Sequence, residues 1–331
     1  MRLHSRPCFQ PLPYGLGIGV NHSKGKILVI RGGAIGDFIL TLPVFQQLRK
    51  YFPQTHLEVL GYPKVAQLAV ESGWADACKS IESPGLVRFF APRGPTPPDW
   101  LHYFSQFDII ISYLFDPDQL FQTNVQQAGS HHYIQGPHRP NDNARLHAID
   151  SLLQPLEKLA IYEVGMIPDL SRLARGQTPA EESRVQIAIH PGSGSPSKNW
   201  PLERWTQWCQ AMCKDSHYHF MIVAGEADRE AGETLAGHLP DHCRTLYMNA
   251  PLPSVARAIA GSRLFVGHDS GISHLAAALG VPSLVLWGPT NLEVWQPRGK
   301  HVTVIESDQG LVGITSRQVS REAHRLMDGR S

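Results

Sequence analysis

One stretch limits the possible folds more than any other. It is Val266-Gly267-His268-Asp269-Ser270-Gly271-Ile272-Ser273-His274 and onward to Pro282. Short apolar runs flank it, Leu264 to Val266 before and Ser283 to Trp287 after. Brief apolar runs bounded by glycine suit buried parallel strands. The spacing between them predicts a helix with both ends marked. Asp269 or Ser270 can serve as N-cap. Gly280 can supply the left-handed residue after the last turn, and Pro282 forbids continuation. The stretch therefore reads as strand, tight turn, helix, strand, the repeating unit of α/β sheets. Gly271 has no side chain, so a ligand could approach the first-turn amides closely. Free amides and the helix dipole make such an end an anion site. Ser270 and His274 are four apart and can share one face beside that ligand. An ordinary capped helix satisfies the same pattern.

The chain has 331 residues, enough for about two domains of ~150 residues each. With 42% hydrophobic and 18% charged residues it can bury an ample core. A net charge of +1 gives no global field that favours nucleic acid, so no nucleic-acid partner is expected. Cys8, Cys78, Cys209, Cys213 and Cys243 form no paired motif and fit a reducing compartment. Cys209 and Cys213, one turn apart, read as buried thiols. No run reaches the ~18 apolar residues of a spanning helix. Residues 1–24 carry Arg2 and Arg6, but Pro11, Pro13 and three glycines break the apolar part. The expectation is a flexible tail and no signal peptide.

The first strand signal is Lys26 to Arg31, followed by Gly32-Gly33-Ala34-Ile35-Gly36-Asp37 and helical apolar spacing to Arg49. Pro43 is expected to start or kink that helix. A glycine turn between strand and helix resembles a dinucleotide fingerprint, but Asp37 stands where a pyrophosphate would lie and would repel it. A carboxylate at a helix start suits a general base. It also suits a plain N-cap. Strands are expected at His56–Leu60 and Phe107–Ser112, with helices at Val65–Glu71 and Leu146–Leu159. The prolines between 84 and 100 predict a loop. His131, His132, His138 and His147 have no standard ligand spacing, so no metal is expected. Residues 163 to 183 are polar and mixed, as in a linker.

A second half opens at Val185–His190 and enters Pro191-Gly192-Ser193-Gly194-Ser195-Pro196-Ser197-Lys198-Asn199-Trp200-Pro201. Its small residues can form an anion nest around a phosphate, with Lys198 as a point charge. A helix over Leu202–Met212 and a strand over His219–Ala224 follow. Glu226 and Asp228 come just after that strand, where an acid can bind ribose hydroxyls or merely cap the next helix. Ser254–Ala260 and Ser316–Met327 read as helices, and Gly288-Pro289-Thr290 as a turn. Every loop singled out follows a strand, and ligands in such sheets bind beyond the carboxyl ends of the strands. Residues alone thus give a nucleotide-type site with phosphate binders and one poised carboxylate. A nicotinamide dehydrogenase and a non-catalytic nucleotide-binding module are the rival readings. Asp37 counts against the first, and the second has no need of it.

Four motifs together resemble glycosyltransferase family 9, the ADP-heptose:lipopolysaccharide heptosyltransferases, over roughly residues 26 to 300. They are Ile30-Arg31-Gly32-Gly33-Ala34-Ile35-Gly36-Asp37 with Pro43; His190-Pro191-Gly192-Ser193 with Ser197-Lys198-Asn199-Trp200-Pro201; Asp269-Ser270-Gly271 with His274; and Gly288-Pro289-Thr290. The resemblance implies a GT-B fold, two Rossmann-like α/β domains with parallel sheets facing a central cleft. The expected division is a tail at 1–24, an acceptor domain at 25–170, a linker at 171–183, a nucleotide-sugar domain at 184–305 and a closing segment at 306–331. It implies inverting, metal-independent transfer of a sugar, heptose from ADP-heptose, to a lipopolysaccharide-core or related glycan acceptor. Asp37 falls on the family's catalytic base. Ser193, Ser195 and Lys198 fall in its phosphate loop, Asp269, Ser270, Gly271 and His274 in its diphosphate motif, and Glu226 or Asp228 near its ribose-binding acid. A monomer in the cytoplasm is implied, with peripheral contact at the inner membrane and no cofactor beyond the nucleotide sugar. Ser112 stands where the family often has Asp, and Gly32 where it usually has a larger apolar residue.

Overall fold

The computed structural model describes residues 24–92, 97–129, 131–143, 145–175, 184–215 and 217–329. The expected tail, except Lys24, and linker residues 176–183 lie outside the described residues. The first half runs β1 (Lys26–Arg31), α1 (Ile35–Tyr51), β2 (His56–Gly61), α2 (Pro63–Glu71), β3 (Ala77–Ser80), α3 (Pro98–Phe104), β4 (Ile109–Ser112), α4 (Leu120–Gln126), β5 (His132–Gln135) and α5 (Ala148–Leu153). The second runs β6 (Val185–Ile189), α6 (Leu202–Met212), β7 (Tyr218–Ala224), α7 (Arg229–Gly237), β8 (Arg244–Met248), α8 (Leu252–Ala260), β9 (Leu264–His268), α9 (Gly271–Ala278), β10 (Ser283–Leu286), α10 (Leu292–Trp295), β11 (Val302–Ile305) and α11 (Ser316–Met327).

Both sheets are wholly parallel, in the orders β3-β2-β1-β4-β5 and β11-β10-β9-β6-β7-β8. In each order the winding reverses beside the first strand, between β1 and β4 and between β6 and β9. Such switch points leave a crevice beyond the carboxyl ends of the strands. The loops after β1, β6 and β9 all open there, which brings the sequence motifs together. The central strands are buried on both faces, with Leu28, Val29, Ile30, Ile187, Ala188 and Ile189 at 0% exposure.

Three local expectations need correction. Helix α1 begins at Ile35 and passes through Pro43, which neither starts nor ends it. The 84–100 stretch holds a 3-10 turn at Pro84–Phe90 and the start of α3, with 93–96 outside the described residues. The expected helix to Leu159 breaks after Leu153 into a 3-10 turn. Pro155 lacks the N–H that would continue the α-helical ladder.

The halves share one core. A single cluster joins Phe38, Ile39, Leu42 and Phe45 of α1 to Ile272, Leu275, Ala276 and Leu279 at α9. Around it, Leu170 N–H donates to Ala278 O at 2.8 Å, and Arg298 meets Asp150 through two hydrogen bonds of 2.8 and 2.6 Å. Among the described residues no helix is long and apolar enough to cross a membrane.

Candidate active site between the two sheets

Asp37 sits in the first turn of α1, just beyond the glycine turn after β1. Gly33 has φ +98°, and a Cβ there would meet Asp37 Oδ2 at 2.7 Å. Glycine is therefore required on two counts. The Ala34 N–H donates to Asp37 Oδ2 at 2.9 Å, so the carboxylate caps its own helix. The side chain is nevertheless 32% exposed, so capping does not hide it. Arg31 lies beneath at 2% exposure. It donates from Nη1 to His138 O at 2.8 Å, and its Nη2 stands 3.5 Å from Asp37 Oδ1. Burial lowers the Arg31 pKa, against the opposing pull of Asp37 and Tyr113.

The facing loop comes from the second sheet. Lys198 Nζ donates to Asp269 Oδ2 at 2.7 Å, so the expected free point charge is paired. Asp269 is 8% exposed, and the lysine 32%. The carboxylate holds the cation at the cleft wall. The Ser193 hydroxyl turns inward, within bonding distance of Ser195 O and Asn199 Oδ1 at 2.8 and 2.7 Å, and shapes the turn. Ser195 is half-buried, with Oγ 3.0 Å from Ser197 Oγ. Ser270 is the N-cap of α9, though its side chain makes no cap bond. His274 is fully buried, and burial pushes its pKa down to about 4.

Gly271 was expected to keep space open for a ligand. A Cβ there would meet Gly36 N at 2.7 Å and Ile35 Cβ at 2.9 Å. The space above Gly271 is thus partly filled by the start of α1. Two helix N-termini, one from each sheet, meet at Gly36 and Gly271.

Asp228 also departs from the simple ribose reading. Its Oδ1 accepts from Gly225 N–H at 2.8 Å, and its Oδ2 lies 2.8 Å from His190 Nε2. Burial raises its pKa, but contact with His190 and two backbone amides outweighs that and leaves it lowered. A Cβ on Gly192 would lie 2.2 Å from Asp228 Cβ, so this glycine lets the two loops touch. Glu226 is exposed. His190 Nδ1 stands 3.2 Å from Ser270 Oγ. Below them, His268 Nε2 accepts from Trp200 N–H at 2.8 Å and Trp205 Nε1 at 3.3 Å. Burial drives the His268 pKa down to about 3, with the charge of His190 adding to the effect.

Among the described residues, three cavities line this cleft. One of about 650 Å³ runs from Gly33 and Ile35 to His190, Glu226, Asp228 and Ser270. One of about 310 Å³ is bordered by Asp37, Ser195, Lys198, Gly271 and His274. One of about 460 Å³ opens on the other side of Asp37, toward Phe115, His138, Arg139 and Trp295. Asp37, Lys198, Asp269 and Trp295 border the last two together.

All ten expected site residues border these cavities, Ser193 and Asp228 at the largest of the three, where Asp228 stands 2.8 Å from His190. All ten therefore converge. Sequence reasoning quoted His190 and His268, each at the end of a buried strand, but gave them no role. It also passed over Arg31 and Gly36, quoted in a motif but given no role. His147, one of the four histidines without ligand spacing, caps α5. It accepts from Ile149 N–H at Nδ1 and donates from Nε2 to Gln296 O at 2.9 Å, tying the halves together.

Two doubly wound parallel sheets facing one crevice define a GT-B fold. A solved structure, E. coli ADP-heptose lps heptosyltransferase II, superposes with a TM-score of 0.75 at 18% identity, covering 92% of this chain and 99% of that one. The sequence profile described as Glycosyltransferase family 9 (heptosyltransferase) matches residues 158–322. Lipopolysaccharide heptosyltransferase 1 of Pseudomonas aeruginosa is 36% identical over 95 residues, 29% of this chain and 26% of that protein. Lipopolysaccharide heptosyltransferase 2 of Salmonella typhimurium is 27% identical over 165 residues, 44% of this chain and 47% of that protein. The alignments thus span less than half the length of these curated relatives. The chain belongs to glycosyltransferase family 9.

Proposed function

We propose that the chain is an inverting glycosyltransferase that needs no metal and moves heptose from ADP-heptose to a lipopolysaccharide-core or related glycan acceptor. The observation that carries this reading is the position of Asp37, whose carboxylate borders both the 310 Å³ and the 460 Å³ cavities. The donor's nucleoside occupies the 650 Å³ cavity, with Glu226 toward the ribose. Its diphosphate lies by Lys198, Ser195 and the first turn of α9. The acceptor enters past Phe115 and His138. Asp37 takes the proton of the attacking hydroxyl as the bond to the anomeric carbon forms, and the nucleoside diphosphate leaves from the opposite face. Such base catalysis contributes about 10²–10⁴-fold. Lys198 and the α9 amides meet the charge growing on the diphosphate, work a metal does in other enzymes. The relatives' printed names support heptose, ADP and lipopolysaccharide.

The test combines ADP-heptose with deacylated lipopolysaccharide core, in excess EDTA, and reads the new linkage by NMR. The expected product carries the anomeric configuration opposite to the donor's. A product of retained configuration, or a rate abolished by EDTA and restored by magnesium, overturns the mechanism. Turnover with UDP- or GDP-sugars and none with ADP-heptose overturns the donor.

A further inference from the structure

We propose that Phe115 is the platform on which the acceptor's sugar ring stacks while its hydroxyl faces Asp37. The inference rests on the glycosyltransferase reading of the cleft and adds a specificity-determining residue to it. Phe115 is 64% exposed and borders the 460 Å³ cavity that Asp37 also lines. Among the described residues on that wall, no other large apolar side chain is so exposed.

The ring stands on a fixed base. Just before it, Tyr113 N–H donates to Ile30 O at 2.9 Å, and the Tyr113 hydroxyl donates to Leu152 O at 2.7 Å. Just after it, Asp116 accepts from Phe121 and Gln122 N–H at 3.1 and 2.9 Å, at the start of α4. His138 braces the ring itself, with centroids 4.6 Å apart and planes at 61°. The His138 carbonyl accepts from Arg31 Nη1 at 2.8 Å, and Arg31 Nη2 stands 3.5 Å from Asp37 Oδ1. One buried side chain thus ties the brace of the ring to the carboxylate. A sugar held on the ring would be held in register with Asp37.

Charge leaves this task to the ring. Each cation on the cavity wall is matched by a carboxylate: Arg31 by Asp37, Arg139 by Asp142 at 2.8 Å, and Lys198 by Asp269 at 2.7 Å. A pyranose presents a face of C–H bonds, and the face of an aromatic ring carries the negative part of its quadrupole. Stacking the two also takes apolar area of both out of water. The ligand class is therefore a sugar ring with one face free of axial hydroxyls, gripped by contact rather than by charge.

The probe is deacylated lipopolysaccharide core, varied at saturating ADP-heptose. Phe115→Ala should raise the acceptor KM about tenfold. Its kcat should change little, as expected when binding common to ground and transition states is lost. ADP affinity and melting temperature should stay at wild-type values, because the ring is exposed. Phe115→Trp should restore KM. Phe115→Leu, apolar but without an aromatic face, should fall between. Added salt should leave the wild-type KM nearly unchanged, since no unpaired charge is screened. A wild-type KM in Phe115→Ala, full restoration by leucine, or a KM that climbs steeply with salt overturns the inference and leaves the function standing. So does a fall in ADP affinity and melting temperature alongside KM, which would make Phe115 a structural residue. A wild type that transfers nothing to this acceptor overturns the proposed function, and this inference falls with it.

Discussion

The crevices at the two switch points have the same architecture and opposite electrostatics. After β1, a glycine turn leads into α1 and sets a carboxylate in its first turn, with Arg31 underneath. After β6 and β9, loop and helix set Lys198 and the start of α9, with Asp269 behind the lysine. In each case a partly exposed charge faces the cleft and an opposite charge, only 2% or 8% exposed, holds it in place. Equal backbone geometry therefore presents a carboxylate on one side and a cation on the other. Local sequence at the strand ends decides which.

The largest expected effect comes from erasing the negative side. Asp37→Asn keeps the hydrogen-bonding outline and removes the base. Turnover should drop by about 10²–10⁴-fold, with ADP affinity and melting temperature nearly unchanged. Full turnover at saturating acceptor would reduce Asp37 to a helix cap.

Erasing the positive side should have two consequences. Lys198→Ala removes the cation from the diphosphate and strands Asp269, a cost of about 1–3 kcal/mol for an unpaired buried group. Both ADP affinity and the ligand-free melting temperature should fall. Adding Asp269→Asn should recover the melting temperature and leave affinity low. Recovery of both would mean that the lysine serves the fold alone.

The contact between the halves gives a third effect. Gly271→Val drives a branched side chain into Gly36 and Ile35 of α1. Overpacking of this kind costs about 1–3 kcal/mol. Melting without ligand should therefore fall, as well as the rise given by ADP. An unchanged ligand-free melting point would show that Gly271 faces only the ligand.

The smallest effect is one of pH. His274 and His268 are buried neutral on the second side, with pKa values pushed down to about 4 and about 3. An unfolded histidine titrates near ~6.5. Below that value the unfolded chain binds protons that the folded chain refuses, so stability declines as pH falls from ~6.5 toward 4. Above it these two groups cost nothing. His274→Gln should flatten the acid side of a denaturation-versus-pH curve, and an unaltered slope would assign the acid sensitivity elsewhere.

The legible parts of the sequence were those with a continuous signature. The central strands β1, β2, β4, β6, β7, β9 and β10 stand out as short apolar runs. The four strands that escaped, β3, β5, β8 and β11, are the outer strands of the two sheets. Sequences such as Ala77-Cys78-Lys79-Ser80 and His132-Tyr133-Ile134-Gln135 are only partly covered and carry no pure apolar run or clean alternation. The site was legible as positions, because each motif lies at a strand end. Its pairings were not. Lys198 finds Asp269, His190 finds Asp228 and Ser270, and Gly36 finds Gly271 only after the sheets are wound.

The shared core has an evolutionary consequence. In a molecule whose halves meet through a wet hinge, a donor half can be traded between relatives like a cartridge. Here α1 and α9 interdigitate in one apolar cluster, and the glycine at the start of each leaves room for the other. A grafted half would arrive with the wrong knobs for its neighbour's holes. Changes in the loops at the cleft mouth, around Phe115 and His138, leave that seam untouched.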